Sequence, residues 1–152
     1  MDEGSTVPDV AVTIDDAVIS LTSLGAPLVV YFYPKDDTAG CTREAQDFTA
    51  LAPAFAEAGA VVVGISKDSP EAHAKFTAKH ALSVALATDS DGSVCEAFGV
   101  WVEKAMYGRK YMGIERATFL FGADGKLVTA WRKVRVPGHV DAVLAAVGAL
   151  RS

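Results

Sequence analysis

Two uninterrupted apolar segments constrain the fold of this chain more than any other feature. The segments PLVVYFY, residues 27–33, and AVVVGIS, residues 60–66, are rich in β-branched and aromatic side chains. A strand with one exposed face alternates apolar and polar residues, whereas a strand covered on both faces is a continuous apolar run. Both segments are therefore predicted to be strands of a sheet that is covered on its two faces.

Helices are predicted between and after these strands. The apolar residues that follow Cys41 have helical spacing as far as Phe55. Pro53 is expected to kink this helix and Gly59 to end it. Further helices are predicted at 69–80, with Ser69 as N-cap and Pro70 in the first turn, at 93–100 and at 139–150.

Hairpins are predicted near both ends of the chain. Segments 10–14 and 17–21 flank an Asp-Asp turn, and segment 117–131 contains the turn pair Asp124-Gly125. Segment 83–89 is predicted to be extended, and segment 101–113, with its glycines and aromatic residues, to be irregular. The order of elements predicts an α/β fold with a mixed central sheet in a three-layer sandwich, formed by residues 1–152 as a single domain.

Length and composition predict a soluble cytosolic protein. Of the 152 residues, 51% are hydrophobic, which argues against disorder, and the net charge of −5 argues against nucleic acid as the main partner. The longest apolar run has the length of a strand, too short to span a membrane, and the acidic N-terminus is unlike a secretory signal. Two cysteines are too few for a disulfide framework, which favours a compartment where thiols stay reduced.

No metal or nucleotide cofactor is expected from the sequence. The histidines His73, His80 and His139 and the two cysteines do not have the spacing of a metal site, so the histidines are interpreted as surface or hydrogen-bonded residues. The segment DSDG, residues 89–92, lacks the later ligands of a calcium loop and is predicted to be a turn. Glycine-rich phosphate-binding motifs are absent from the sequence.

Cys41 lies at the start of a predicted helix, directly after a buried strand and a short loop. The N-terminus of a helix stabilises a thiolate, and cysteines placed there can have a pKa of about 3.5–7.5 instead of about 8.5. The thiolate is the nucleophilic form, so this position favours reactivity. A buried structural cysteine is the alternative, and position alone leaves both open.

The residues before Cys41 favour the reactive alternative. Pro34 at the strand exit can fix the loop and shield a thiolate from water. Thr38 has a hydroxyl that can both donate and accept a hydrogen bond, although a helix cap or turn residue is the alternative for it. Gly40 allows close approach to the backbone.

The pattern formed by Pro34, Thr38 and Cys41 resembles the P-x-x-x-T-x-x-C signature of peroxiredoxins. The surrounding YFYPKDDTAGCTREAQDF and the later VVGISKDSPEAHAKF, KAMYGRKYMGIERATFLF and WRKVRVPGHVDAVL are similar to the bacterioferritin-comigratory (Q-type) branch. The resemblance extends from about Pro8 onward. It implies a thioredoxin-like fold with an N-terminal hairpin, reduction of hydroperoxides by Cys41 without a cofactor, and a monomer more often than a dimer.

The resemblance also assigns a role to an arginine far along the chain. In the family, an arginine just ahead of a strand reaches the thiolate, and IERATF places that role on Arg116. A guanidinium is always charged, so it can stabilise the thiolate and then hold the peroxide. Glu44, one helical turn after Cys41, is either an anchor for an arginine or part of a solvated helix face.

Neither usual position of a resolving cysteine, which would recycle an oxidised Cys41, holds a cysteine in this chain. Q-type proteins with an internal resolving thiol often carry it five residues later, where this chain has Gln46, or in the next helix, where it has 76–78 without a cysteine. Cys95 is the remaining candidate, but it shares a helical stripe with Phe98 and is predicted to be a core residue. The sequence therefore favours reduction of the sulfenic acid by thioredoxin, glutaredoxin or a small thiol.

Two other functions remain as alternatives. A thiol-disulfide exchanger needs C-x-x-C, and Glu44 occupies the second cysteine position. A non-enzymatic binding or holdase-like protein would explain the missing resolving cysteine, but would not need Pro34, Thr38, Cys41 and Arg116 together. For a peroxidase, the apolar WVEKAMY segment, residues 101–107, is a candidate lining for organic peroxides.

Overall fold

The computed structural model describes residues 1–150 of the chain. In this part of the chain, the strands are β1 (Ala11–Ile14), β2 (Ala17–Ser20), β3 (Leu28–Phe32), β4 (Val61–Ser66), β5 (Ala85–Thr88), β6 (Trp101–Met106), β7 (Arg109–Ile114), β8 (Ala117–Phe121) and β9 (Leu127–Trp131). The α-helices are α1 (Ala39–Ala50), α2 (Ala52–Glu57), α3 (Pro70–His80), α4 (Ser93–Ala97) and α5 (His139–Ala149).

The central sheet of residues 1–150 has seven strands in the order β2-β1-β5-β4-β3-β8-β9. Strand β3 is parallel to β4 and antiparallel to β8, which confirms a mixed sheet. All five residues of β3 are buried, as the continuous apolar run predicts. The N-terminal hairpin β1–β2 and the later hairpin β8–β9 are both present.

Side chains alternate between the two faces of β3 and divide the core into two clusters. On one face, Val30 and Phe32 pack in a cluster with residues of α4, including Cys95. On the other face, Val29 and Tyr31 pack in a cluster with residues of α1, α3 and α5, including Cys41. The sheet therefore lies between the two cysteines, and the three-layer prediction is confirmed.

The predicted helices are all present, but α4 ends at Ala97 and not at residue 100, and the first helix is divided in two. Instead of kinking at Pro53, the helix is interrupted at Leu51, and Pro53 lies in the first turn of a new helix, α2. A proline is tolerated there because the first-turn N–H has no intrahelical partner. At the start of α3, the Ser69 hydroxyl accepts a hydrogen bond from the Ala72 N–H at 3.1 Å, as an N-cap should.

The prediction of an irregular segment at 101–113 is wrong. Strands β6 and β7 pair along their whole length in a separate two-stranded sheet. Tyr107 and Gly108 form its turn, with φ angles of 53° and 78°. The turn has no Asn-Gly or Asp-Gly signal and the strands have few β-branched residues, so the local signals of a hairpin are weak.

Candidate active site

The register of the central sheet brings together two parts of the chain that are far apart in sequence. Phe32, the last residue of β3, pairs with Ala117, the first residue of β8. The loop that leads to Cys41 leaves β3 at the same edge of the sheet where Arg116 enters β8. Antiparallel pairing thus places the arginine beside the cysteine.

Cys41 is the third residue of α1 and is 2% exposed. Thr38 is the N-cap by backbone conformation, and its carbonyl accepts the N–H of Thr42 at 2.8 Å. The first-turn N–H groups of a helix have no intrahelical acceptor and form its positive end. The Cys41 thiol therefore lies at an end of the helix that favours an anion.

The Arg116 guanidinium bridges Cys41 and Glu44. Its Nη2 donates to Cys41 Sγ at 3.2 Å, and its Nη1 donates to Glu44 Oε1 at 2.8 Å. Glu44 is fully buried, so the solvated-face alternative for this residue is wrong. A Cβ atom on Gly40 would lie 3.1 Å from Arg116 Nη2, so the close approach at this glycine is made by the guanidinium.

Burial and the opposite charge of the partner shift the pKa values of Glu44 and Arg116 in opposite directions. Burial raises the pKa of Glu44 to about 7, although Arg116 pulls it downward. Burial opposes the charge of Arg116, but Glu44 and Cys41 together raise its pKa, so the guanidinium is ionised. Glu44 Oε2 is buried without a hydrogen-bond partner among residues 1–150. The ionised form of this carboxyl group is therefore destabilised by the loss of solvation.

The two other residues of the signature lie on the exposed side of the loop. Thr38 Oγ1 donates to the Lys35 carbonyl at 2.8 Å and does not cap the helix, which matches the turn alternative for this side chain. With its proton engaged, the oxygen retains lone pairs that can accept. Pro34 is exposed at the strand exit.

A buried network that the sequence analysis missed holds the loop before Cys41. Asp36 accepts from the Tyr33 hydroxyl at 2.5 Å and is bonded through Oδ2 to His73 Nδ1 at 2.6 Å. His73 Nε2 donates to the Ala87 carbonyl at 3.0 Å. The only sign of this network in the sequence is the acidic pair Asp36-Asp37 in a short loop. Its partner, His73 on α3, is too far along the chain to be inferred from residue spacing.

Tyr31 is a second residue that the sequence analysis missed. Its ring stacks on Phe48 with centroids 4.4 Å apart, and its hydroxyl is buried. Burial raises the pKa of Tyr31, and the nearby Glu44 and Cys41 raise it further. The phenol is therefore neutral. Gly64 is its register partner, and a Cβ there would overlap the Tyr31 ring. A glycine inside a buried strand was the signal for this close approach.

Cys95 is a core residue, as its spacing with Phe98 predicts. It is 0% exposed and is a free thiol, like Cys41. Burial, followed by the neighbouring Asp89 carboxylate, raises the pKa of Cys95 far above its usual range. The structure does not bring Cys95 together with Cys41.

The three histidines all have hydrogen-bond partners. His80 Nε2 contacts the Asp37 carboxylate at 2.9 Å, and His139 Nε2 contacts Thr118 Oγ1 at 2.8 Å. Burial and then Arg116 lower the pKa of His139 to about 4. Residues 1–150 contain no group of three His, Cys, Asp or Glu side chains placed to hold a metal, and no helix in this range is both long and apolar enough for a bilayer.

The AhpC/TSA family model matches residues 4–130 of the chain. The chain belongs to the AhpC/TSA family. Peroxiredoxin Bcp of Xanthomonas campestris pv. campestris is 54% identical over 122 residues, 80% of this chain and 76% of that protein. Peroxiredoxin Bcp of Bacillus subtilis is 50% identical over 120 residues, 79% of this chain and 76% of that protein. The predicted resemblance to the bacterioferritin-comigratory branch of the peroxiredoxins is confirmed.

Solved structures of this branch have the same fold. A structure from a study of alkyl peroxide reduction by the Xanthomonas campestris bacterioferritin comigratory protein superposes with a TM-score of 0.89 at 45% identity, covering 97% of this chain and 98% of that one. A mutant of Xylella fastidiosa PrxQ gives a TM-score of 0.93 at 39% identity, covering 100% and 98%. The thioredoxin-like fold predicted from the resemblance is therefore confirmed.

Proposed function

We propose that this member of the AhpC/TSA family is a thiol-dependent peroxidase that uses Cys41 to reduce hydrogen peroxide and organic hydroperoxides. The Cys41 thiolate attacks the terminal oxygen of ROOH. An S–O bond forms, the O–O bond breaks, and the departing RO⁻ takes up a proton to leave as ROH. Cys41 becomes a sulfenic acid, the first step of thiol oxidation.

The hydrogen bond from Arg116 to Cys41 Sγ is the observation that carries this proposal. Negative charge moves from sulfur to the leaving oxygen during the attack, and a fixed cation beside both atoms stabilises that transition state. Glu44 is a positioning residue because it holds the other side of the guanidinium. Thr38 accepts the O–H of the peroxide, since its own proton is donated to Lys35.

Recycling of the sulfenic acid is proposed to depend on an external thiol. A disulfide requires Cα atoms within about 7 Å. The clusters that contain Cys41 and Cys95 lie on opposite faces of the sheet, so a bond between them would require rearrangement of the core. Thioredoxin, glutaredoxin or a small thiol is therefore the proposed reductant, the cytoplasm the compartment, and a monomer the working unit.

Peroxide consumption coupled to a dithiol tests the enzymatic proposal. The wild-type protein should consume hydrogen peroxide in dithiothreitol, and Cys41→Ser should not, whereas Cys95→Ala should remain active. Peroxide consumption that is unchanged in Cys41→Ser would contradict the proposal. Reduction of insulin disulfides without peroxide consumption would support the thiol-disulfide exchanger, and neither activity would support a binding protein.

Intact mass spectrometry after one equivalent of peroxide tests the recycling step. A gain of one oxygen is expected, because the sulfenic acid has no thiol within reach. A loss of two hydrogens within a monomer would instead show a bond between Cys41 and Cys95 and would contradict the external reductant.

A further inference from the structure

The hairpin β6–β7 is firmly attached at its root and free at its tip. Trp101 and Ile114, which pair at the root, pack against the core cluster that contains Cys95. Lys67 Nζ lies 4.4 Å from the centre of the Trp101 ring, and the Glu115 N–H donates to the Val100 carbonyl at 2.7 Å. Such anchoring holds the exposed tip in a fixed direction relative to the sheet.

One face of this hairpin combines apolar and basic side chains. Residues directly opposite each other in an antiparallel pair lie on the same face, as do alternate residues of a strand. Lys104 is opposite Tyr111, and Met106 is opposite Arg109, so these four share one face. We call these residues, together with Tyr107 at the turn, the hairpin face.

The hairpin face is unusually exposed for its composition. Tyr107 is 97% exposed, Met106 56% and Tyr111 44%. The three charged residues from 104 to 112 are all basic, although the whole chain has a net charge of −5. Tyr, Met and Arg are enriched in protein interfaces, and exposed apolar patches with a charged rim are typical of interaction sites.

The root half of the hairpin face lies next to the Cys41 site. Strand β7 ends at Ile114 and leads directly to Arg116. A Cβ atom on Gly113 would lie 3.3 Å from Lys104 Cδ and 3.5 Å from the Tyr111 ring, so both side chains lie across this glycine at the half of the hairpin nearer Arg116. Lys104 is within electrostatic range of the site, since burial and then Arg116 lower its pKa while Cys41 raises it.

We propose that the hairpin face is the docking surface for a reducing protein whose reactive thiol is surrounded by apolar residues with an acidic rim. This inference rests on the proposed function, in which an outside thiol reduces the Cys41 sulfenic acid. The basic residues attract the acidic rim and the apolar side chains pack against the centre. Redox encounters need only a small interface, below about 1,200 Å².

Charge argues against a second copy of this chain as the occupant. In a two-fold dimer through this face, the same surface appears on both subunits, so the basic residues of one copy would lie opposite the basic face of the other. Like charges in an interface are unfavourable. A small thiol would not need a surface of several exposed side chains, so the face fits a protein better.

The docked partner would complete the reduction in two balanced steps. Its thiolate attacks Cys41 Sγ, an S–S bond forms, the S–O bond breaks, and hydroxide leaves with a proton as water. A second thiol of the partner then attacks the partner's own sulfur, forms an internal disulfide and releases the Cys41 thiolate. The partner is thereby oxidised and Cys41 reduced.

The test separates the two half-reactions of the intact protein. The variant Tyr107→Ser combined with Arg109→Glu changes the hairpin face but none of the residues that contact Cys41. The matched control, Val18→Ser combined with Lys126→Glu, makes the same kinds of change at two other exposed positions, Val18 on the edge strand β2 and Lys126 beyond the far end of β8. The probes are bacterial thioredoxin, kept reduced by NADPH and its reductase, and dithiothreitol.

We expect the hairpin variant to lose about 10-fold in kcat/KM for thioredoxin, mainly through KM, because an exposed aromatic side chain is removed and a basic charge is reversed. Raising the salt concentration should reduce this difference. Its oxidation by peroxide and its reduction by dithiothreitol should stay within about twofold of wild type, as should all activities of the control. Tyr107→Phe combined with Arg109→Lys should restore most of the thioredoxin activity.

Several results would overturn the inference. They are an unchanged kcat/KM for thioredoxin in the hairpin variant, an equal loss in the control, or a selective loss with organic hydroperoxides, which would make the face a peroxide lining instead. Dimerisation of the wild type that the hairpin variant abolishes would show that a second copy occupies the face. A wild type that consumes no peroxide with dithiothreitol would overturn the proposed function itself, and this inference with it.

Discussion

The two cysteines of this chain occupy the same position in their helices but have opposite surroundings. Cys41 is the third residue of α1 and Cys95 the third residue of α4. They are 2% and 0% exposed, respectively. Neither burial nor a place in the first helical turn distinguishes them, so the difference in expected reactivity must come from neighbouring charges.

The charged groups next to the two cysteines have opposite signs. At the start of α4, the Asp89 carboxylate accepts the N–H groups of Val94 and Cys95 at 3.2 and 2.8 Å, so an anion already occupies the positive end of that helix. At the start of α1, the side chain of the N-cap residue makes no cap bond, and Arg116 adds a cation at 3.2 Å from Cys41 Sγ. An anion therefore already occupies the N-terminus of α4, whereas the N-terminus of α1 and Arg116 are both available to stabilise a thiolate of Cys41.

Removing the cation should have the largest effect on this difference. Arg116→Met is expected to lower the rate constant for peroxide reduction by about 10²–10³-fold, because one fixed donor to the developing charge is lost. Stopped-flow oxidation of the reduced protein measures this rate. Arg116→Lys should recover part of it, since a lysine restores the charge but not the two-pronged contact.

A second arginine provides the control for this prediction. Arg43 is on the same helix, two residues after Cys41, but its side chain is 64% exposed and pairs with Asp47. Arg43→Met should change the rate less than about twofold, because exposed pairs contribute little. Equal losses in the two variants would mean that general positive charge, and not the contact with sulfur, controls Cys41.

The buried Glu44 carboxyl group near Cys41 should make the free energy of unfolding depend on pH. Burial raises the folded-state pKa of Glu44 from 4.5 to about 7, so the folded protein binds this proton more tightly than the unfolded chain. The resulting stabilisation is complete below pH 4.5 and is lost as the pH rises through about 7. Between pH 5 and pH 8, wild type should lose about 2–3 kcal/mol more of its free energy of unfolding than Glu44→Gln.

Urea denaturation of the reduced proteins at the two pH values measures this difference. Other titrating groups are the same in wild type and Glu44→Gln, so they contribute equally to both curves. Parallel changes in the two proteins, or a gain in stability of wild type relative to the variant at high pH, would contradict this prediction and would mean that Arg116 fully compensates the Glu44 carboxylate.

A smaller effect is expected from a methyl group beside the guanidinium. Gly40→Ala places a Cβ 3.1 Å from Arg116 Nη2, so the guanidinium must move by a few tenths of an ångström. The rate of peroxide reduction should fall by about 3–10-fold, since small displacements of a positioning group are costly. Gly148→Ala, in a helix with no atom near the new methyl group, should leave the rate unchanged. A normal rate in Gly40→Ala would show that Arg116 is not held tightly.

The sequence predicts the site residues that are close to each other along the chain. It does not predict the contacts that depend on how the strands of the sheet pair. Cys41 and Thr38 follow a continuous apolar strand and begin a helix, and both features are visible in a short window. Arg116 is brought to Cys41 by the pairing of β3 with β8, and only the family resemblance assigned it in advance. Spacing alone has no information on that pairing.

Other contacts could not be predicted for the same reason. The bond between Asp36 and His73 joins a loop to a helix that follows a further strand, and either side chain alone is an ordinary polar residue. The role of Glu44 was ambiguous because the sequence of a helix does not show which elements pack against each of its faces. The hairpin β6–β7 was missed because its exposed strands lack the alternation and turn residues that mark a hairpin.

The most direct test compares alkylation of the two thiols at pH 7. In Cys95→Ala, which retains Cys41, iodoacetamide should modify the folded protein readily, because Arg116 donates to Cys41 Sγ and the thiolate is the nucleophilic form. In Cys41→Ser, which retains Cys95, the folded protein should react at least about 100-fold more slowly and reach the ordinary rate only in urea. Equal alkylation rates for the two thiols in the folded state would contradict the account.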